Sequence, residues 1–218
     1  MSATIPQDLL LCEQQWAQKI GTQHRAERIL LTGESHRCAN WQFQAACTLV
    51  QATQTPADVL AEPNSLPWRE ASFDRIISLH SHTSTADLAY WLQQCWQVVA
   101  PQGSLLLFGC CPHFMWHKKQ PAPDNANVKA ALDVQRIAQN IGWNCVAECY
   151  FHCLPVLSWR YDLFSWAWYE HENRIASPIA AAYGFHLTKQ TVQVRPNQEY
   201  AEQWDGEMPY AVAKQIAD

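Results

Sequence analysis

The sequence is poor in the features that mark several common classes of protein. Its 218 residues contain 15 Lys and Arg against 20 Asp and Glu, so the formal net charge is −5 and no basic patch indicates a nucleic-acid partner. No stretch reaches the roughly 18 apolar residues of a membrane span, and the amino terminus lacks the basic and apolar regions of a signal peptide. These absences predict a cytoplasmic protein whose partner is a small-molecule substrate.

Motifs of several ligand classes are also missing. No Gly-x-Gly-x-x-Gly run is present, which excludes the usual nicotinamide dinucleotide loop. No Cys-x-x-Cys pair or His-Glu-x-x-His helix accompanies the histidines and cysteines that follow predicted strands, so we expect no metal site. A nucleophilic cysteine at Cys110 or Cys111 is not favoured either, because no sharp nucleophile turn is visible around them.

Cysteine and tryptophan, by contrast, are plentiful. The nine cysteines are odd in number, irregularly spaced and set among apolar residues, so we expect reduced and mostly buried thiols rather than a disulfide framework. Most of the 11 tryptophans stand at helical or strand spacing with other apolar residues. We therefore predict that most of them belong to the core.

Hydrophobic periodicity predicts an α/β fold. The chain is long enough for one such domain, in which a strand, helix, strand unit over 73–109 is the strongest pattern. Few residues separate the earlier strands, so the helices between them are predicted to be short or missing. The predicted helices lie at 7–20, 85–99, 128–142 and 163–169, and the strands at 28–33, 46–51, 57–62, 73–80, 104–109, 144–151 and 179–190.

The middle of the chain carries the most informative motif. Residues 66–74 read Leu-Pro-Trp-Arg-Glu-Ala-Ser-Phe-Asp, an apolar strand follows, and residues 101–109 read Pro-Gln-Gly-Ser-Leu-Leu-Leu-Phe-Gly. This order and spacing resemble the class I S-adenosylmethionine (SAM) dependent methyltransferases, and in particular a methyltransferase type 11-like domain. The resemblance covers roughly residues 28–190.

The resemblance implies a fold and a domain organisation. The expected fold is a Rossmann-like sheet, mostly parallel with an antiparallel C-terminal hairpin, and with shortened helices in the N-terminal half. The expected organisation is a single domain over 1–218. It comprises an N-terminal helix at 1–27, the Rossmann-like core at 28–190 and a peripheral tail at 191–218.

The resemblance also implies SAM as the cofactor. Gly33 matches the first glycine of the family's Gly-x-Gly-x-Gly loop, but Ser35 and Arg37 stand at the next two places. Glu62 stands four residues before Leu66, where the family has an acid or amide that faces the adenine amino group. The family's ribose-binding acid has no clear counterpart near residues 51–53. The predicted cofactor-binding residues are Gly33, Glu34, Glu62, Pro63, Asn64 and His80.

His80 and His82 are the predicted catalytic residues. His80 ends the fourth strand, where many members of the family place a histidine or small polar residue beside the methyl group, and a neutral imidazole there can act as a general base. Two alternatives stay open for single residues: Glu62 as a solvated acid before a turn, and His80 as a hydrogen-bonded structural residue. The function has an alternative too, namely an inactive methyltransferase-fold protein that serves as a binding or regulatory partner.

Overall fold

The computed structural model describes residues 7–23, 25–33, 41–53, 55–62, 65–81, 87–111, 130–151, 170–171, 180 and 182–189. The helices in these ranges are α1 (Gln7–Gln23), α2 (Leu88–Val98) and α3 (Ala131–Ile141). None of them is both long and apolar enough to cross a membrane. The strands are β1 (Arg28–Gly33), β2 (Cys47–Ala52), β3 (Val59–Leu60), β4 (Phe73–Leu79), β5 (Val99–Cys110), β6 (Trp143–Phe151), β7 (Glu170–His171) and β8 (Ala182–Lys189).

All eight described strands form one sheet in the order β3-β2-β1-β4-β5-β8-β6-β7. Strands β1 to β5 pair in parallel, whereas β8 lies antiparallel between β5 and β6. The predicted fold class is confirmed, since the sheet is mostly parallel and ends in antiparallel strands. No helix lies in the described residues between β2 and β3, as the short spacing predicted.

Two stretches differ from the sequence prediction. Strand β3 has two residues instead of the six expected at 57–62, because the Asp58 carboxylate accepts a hydrogen bond from the Val50 amide at 2.8 Å and interrupts the regular ladder. The strand predicted at 104–109 begins earlier, at Val99, and includes the Pro-Gln-Gly segment at 101–103, where the register shifts and Gln102 has a φ of 65°. The chain thus makes its turn as an irregularity in a strand rather than as a separate loop.

The sheet has a hydrophobic core on each face. Helices α2 and α3 cover one face together with side chains such as Leu105, Leu107 and Phe185. Helix α1 covers the other face over Leu106, Phe108 and their neighbours. Because side chains alternate along a strand, successive residues of β5 enter different cores.

Helix α1 is anchored by Trp16. Its ring packs edge-on against Phe108, with ring centroids 5.6 Å apart, and against Phe151 at 6.3 Å. Gly184 of β8 lies beneath them, and a Cβ there would meet all three rings at 3.1–3.2 Å. Trp16, Trp91 and Trp143 are all fully buried, as predicted for core tryptophans. Within the same helix Leu11 is 47% exposed, whereas the neighbouring Cys12 and Glu13 are buried.

Candidate active site

The carboxyl ends of β1 and β4 lie side by side in the middle of the sheet. The two strands pair in parallel as far as Gly33 and Leu79. Along the sheet, β2 and β3 follow on one side of this pair and β5 on the other, so the direction of winding reverses here. Open α/β sheets bind ligands in the crevice at such a switch point. The candidate site is therefore built from residues at the ends of β1, β4 and their neighbours.

Gly33 closes this junction tightly. It has a φ of 89°, and a Cβ there would lie 2.2 Å from the carbonyl oxygen of Leu79 and 2.9 Å from the amide nitrogen of Ser81. Only glycine tolerates both the left-handed backbone and this approach. The contact between the two strand ends is by itself enough to require glycine at position 33.

His80 leaves β4 in a left-handed conformation, with a φ of 56°. Ile77 and Leu79 face α1, so simple alternation would direct residue 80 to the opposite face. The left-handed backbone ends this alternation, and the imidazole Nε2 lies 3.0 Å from Oε1 of Glu13 in α1. The ring is therefore held under the N-terminal helix rather than beside α2.

Cys110 completes the cluster from the end of β5. Its Sγ lies 3.5 Å from Nδ1 of His80, so each ring nitrogen of His80 has a partner. The side chain of Glu13 is 0% exposed and that of His80 is 3% exposed, whereas Cys110 is half-buried. We call Glu13, His80 and Cys110 the buried triad. It joins the helix α1 to the two central strands.

The triad controls the charge of His80. Burial alone would lower the pKa of the imidazole, but the charge of Glu13, the Cys110 sulfur and their hydrogen bonds more than offset it, so the pKa lies well above 6.5. The imidazole is thus protonated at neutral pH, with Glu13 as its counter-ion. The neutral imidazole, which is the form that can act as a general base, is therefore the disfavoured form of this ring.

The turn after β4 is fixed by serine hydroxyls. Ser78 and Ser81 are both buried and hydrogen bond to each other. The amide of His80 also donates to the carbonyl of Phe108 at 3.0 Å, which ties the turn to β5. These bonds hold the backbone of His80 in place from both sides.

Glu62 lies just beyond β3, at the same carboxyl edge of the sheet. Its side chain is exposed, and among the described residues its carboxylate has no hydrogen-bond or ion-pair partner. Its backbone carbonyl, by contrast, accepts hydrogen bonds from the Gln51 side chain at 3.1 Å and from the Ser65 amide at 3.0 Å. The residue therefore has a fixed backbone and an available carboxylate.

Gln51 occupies the end of β2, where a ribose-binding acid was expected and not found. Its amide nitrogen donates to the carbonyls of Glu62 and Ser65, and its oxygen accepts from the Trp68 indole at 2.7 Å. The side chain is fully buried. Gln51 is thus an anchor for the segment after β3 and has no free polar atom for a ribose.

The remaining predicted site residues lie outside the described part of the chain. They are Glu34, Pro63, Asn64 and His82. The same holds for Ser35 and Arg37, which replace two glycines of the expected loop. Within the described ranges, no group of three or more His, Cys, Asp and Glu side chains is arranged to hold a metal ion.

Sequence reasoning missed Glu13 altogether. The residue stands at helical spacing with Leu9, Trp16 and Ile20, which are all buried. A carboxylate in the middle of an apolar stripe is unusual, because a buried charge needs a partner. That position was the one feature of the sequence that could have indicated a buried polar site under α1.

The chain is similar to known methyltransferases in sequence and in structure. Residues 35–107 match the family model described as a methyltransferase domain. No curated protein matches the sequence. Among solved structures, a SAM-dependent methyltransferase from Thermotoga maritima aligns with a TM-score of 0.61 at 12% identity, covering 83% of this chain and 89% of that one.

Two further structures give the same result. A SAM-dependent methyltransferase from Archaeoglobus fulgidus aligns with a TM-score of 0.56 at 11% identity, over 83% of this chain and 94% of that one. A Haloferax volcanii complex of a methyltransferase with the Trm112 activator aligns with a TM-score of 0.57 at 10% identity, over 84% and 93%. At such low identity these likenesses concern the fold.

Proposed function

Because the chain has the class I SAM-dependent methyltransferase fold and residues 35–107 carry a methyltransferase domain, we propose that it transfers a methyl group from SAM to a small-molecule acceptor. The observation that carries the proposal is the switch point between β1 and β4, with Gly33 at its centre and Glu62 on the same edge of the sheet. Ligands of open α/β sheets bind at this place.

The described residues fit SAM at the adenine end. The free carboxylate of Glu62 can accept a hydrogen bond from an exocyclic amine, and its anchored backbone holds it in position. The ribose end lacks a matching acid, because all polar atoms of the Gln51 side chain are engaged. The proposed SAM-binding residues also include Gly33 and three residues predicted from the sequence alone, namely Glu34, Pro63 and Asn64.

When bound, SAM supplies an electrophilic methyl group on a sulfonium, and methyl transfer then depends mainly on holding the acceptor in line. In this proposal His80 is a positioning residue, because its ring nitrogens contact Glu13 and Cys110 rather than an open crevice. His82 stays a catalytic residue predicted from the sequence alone.

Calorimetric titration with SAM and with S-adenosylhomocysteine tests the proposal. We expect micromolar binding that Glu62→Gln weakens about tenfold, as for the loss of one hydrogen bond to a charged group. Glu27→Gln is the matched control, because Glu27 is an equally exposed glutamate just before β1, at the opposite edge of the sheet. Equal affinities of the two variants would contradict the adenine role of Glu62.

One observation favours the inactive alternative. Gln51 has no polar atom left for a ribose, and His80 is paired on both sides, so two of the expected contacts to cofactor and substrate are replaced by internal ones. In that case the chain is a methyltransferase-fold protein that binds or regulates a partner. No heat with either ligand at millimolar concentration would exclude methyl transfer and leave this alternative.

A further inference from the structure

We propose that Cys110 is an activated nucleophile, served by His80 and Glu13 of the buried triad, and that it reacts with soft carbon electrophiles. This site goes beyond the proposed methyl transfer and requires no cofactor. The arrangement is a thiol, an imidazole and a carboxylate in a row, which is the order that activates a cysteine for attack.

The geometry places a charged hydrogen-bond donor beside the sulfur. The sulfur of Cys110 lies 3.5 Å from Nδ1 of His80, and Nε2 on the far side of the ring lies 3.0 Å from the Glu13 carboxylate. The carboxylate fixes the orientation of the ring and stabilises it when it carries a second proton. The three groups come from α1 and from the ends of β4 and β5, so folding assembles them.

Burial strengthens the interaction between Glu13 and His80. Glu13 is 0% exposed, and its second oxygen, also buried, has no hydrogen-bond partner among the described residues. In the described part of the chain, His80 is thus the only cation that compensates the charge of Glu13. A carboxylate in this state favours a proton on His80, so the charged ring can donate from Nδ1 to the Cys110 sulfur and stabilise negative charge that develops there.

Cys110 is also the accessible member of its pair. It is half-buried, whereas Cys111 is buried among the side chains of the α2 face. The parity of β5 puts Cys110 on the same face as Leu106 and Phe108, under α1 and next to His80. An electrophile that enters the crevice therefore meets the first of the two neighbouring thiols.

The reaction is a simple displacement. The Cys110 sulfur releases its proton to solvent while the protonated His80 donates to it from Nδ1, and the sulfur forms a bond to the carbon of the electrophile. The bond from that carbon to its leaving group breaks, and the leaving group departs with the electron pair. The proton of His80 stays on the imidazole, paired with Glu13. With iodoacetamide as the probe, the new bond is a thioether and the leaving group is iodide.

Alkylation with iodoacetamide at neutral pH, followed by mass spectrometry of each cysteine peptide, tests the inference without SAM. Cys47 is the internal control, because it is exposed and its side chain has no hydrogen-bond partner among the described residues. We expect Cys110 to react about tenfold faster than Cys47 in spite of its lower exposure, as paired thiols do. A Cys110 that reacts no faster than Cys47 would overturn the proposal.

Glu13→Gln separates activation from accessibility. Glutamine keeps the shape and one hydrogen-bond acceptor but removes the charge, so we expect the Cys110 rate to fall about tenfold while the Cys47 rate stays constant. An unchanged Cys110 rate in a folded variant, checked by circular dichroism, would contradict the triad. If the variant fails to fold, the ratio of the two rates in the unmodified chain still decides. Failure of SAM binding leaves this result untouched, so the two proposals fail independently.

Discussion

The central strand β4 has a carboxylate and cation pair at each end, and the two pairs differ in burial. At the carboxyl end, Glu13 and His80 have side-chain exposures of 0% and 3%. At the amino end, Asp74 and Arg28 lie 2.8 Å apart with exposures of 29% and 48%. Similar chemistry is thus enclosed at one end and hydrated at the other. The buried pair of Glu13 and His80 sets the charge of the candidate site, whereas the exposed pair of Asp74 and Arg28 aligns two strands.

The amino-end pair has a structural task that its hydrogen bonds define. One oxygen of Asp74 accepts the backbone amides of Glu27 and Arg28, at 3.1 and 2.9 Å, and the other accepts from the Arg28 guanidinium. These bonds tie the start of β1 to the start of β4. At the carboxyl end of β4, the strands are held together by the Gly33 contact and by the buried triad instead.

Glu13→Ala is expected to have the largest effect. Removing one partner of a buried pair leaves the other charge uncompensated, which costs about 3–5 kcal/mol. Denaturant unfolding of both proteins at pH 7 measures the loss. A loss below about 1 kcal/mol, the usual range for exposed pairs, would show that the two ends of β4 do not differ as argued.

A double variant sharpens this result. Glu13→Leu combined with His80→Leu removes both charges and keeps apolar volume under α1. Because burying two charges is itself costly, we expect the double variant to recover most of the stability that Glu13→Ala loses. It should also lack any preferential alkylation of Cys110. Recovery of stability without loss of that reactivity would contradict the role of the pair.

Glycines at the two ends give the second comparison. A Cβ at Gly33 would lie 2.2 Å from the Leu79 carbonyl oxygen, and one at Gly103 would lie 2.7 Å from the Asp74 carbonyl oxygen. Gly33 also has a left-handed backbone, which costs a non-glycine residue about 1–2 kcal/mol. We therefore expect Gly33→Ala to lower the melting temperature more than Gly103→Ala. Equal shifts would show that the left-handed backbone contributes nothing.

The two ends of β4 are expected to lose stability in opposite directions of pH. The pKa of His80 is raised above 6.5 in the folded chain, so its contribution is complete below 6.5 and lost as the pH rises through the folded value. Burial would raise the pKa of Asp74, but hydrogen bonds from Arg28 lower it below 3.8. Its contribution is present above 3.8 and lost as the pH falls through the lowered value.

Urea unfolding midpoints between about pH 3 and about pH 10 measure both losses of stability. We call the fall toward low pH the acid limb and the fall toward high pH the alkaline limb. We expect His80→Gln to flatten the alkaline limb only and Asp74→Asn to flatten the acid limb only. Glu27→Gln, the exposed control, should leave both limbs unchanged. An alkaline limb that survives in His80→Gln would assign that loss to another group.

Arg28→Ala is expected to have the smallest effect. The guanidinium is about half exposed, and water screens its attraction to Asp74, while the two backbone amides that bind Asp74 remain. We expect a much smaller loss of stability than for Glu13→Ala, and one that salt reduces further. A loss as large as that of Glu13→Ala would remove the contrast between the two ends.

Much of the fold could be predicted because its signals are local. The strand at β4, the helix at α2 and the closure of α3 at Gly142 follow from periodicity and from one glycine, which has a φ of 111°. The short β3 could not be predicted in this way. Its start depends on a side chain, Asp58, that accepts a hydrogen bond from a backbone amide of β2.

The candidate site was only partly accessible from the sequence. Gly33, Glu62 and His80 follow strands and were found by position, but what surrounds them comes from distant segments. Glu13 is 67 residues from His80, and Cys110 is 30 residues from it. No local pattern encodes such contacts, and the left-handed turn that brings His80 under α1 reverses the face that alternation predicts.

The packing of three aromatic rings over Gly184 bears on the order in which the chain folds. Trp16 rests on Phe108, Phe151 and the gap left by a glycine of β8. Strand β8 comes last among the described elements, yet it is inserted between β5 and β6. During synthesis, α1 therefore leaves the ribosome long before β8, which forms part of the surface under Trp16, has been made. The packing of Trp16, which holds α1 and with it Glu13 against the sheet, is therefore complete only once β8 has been inserted.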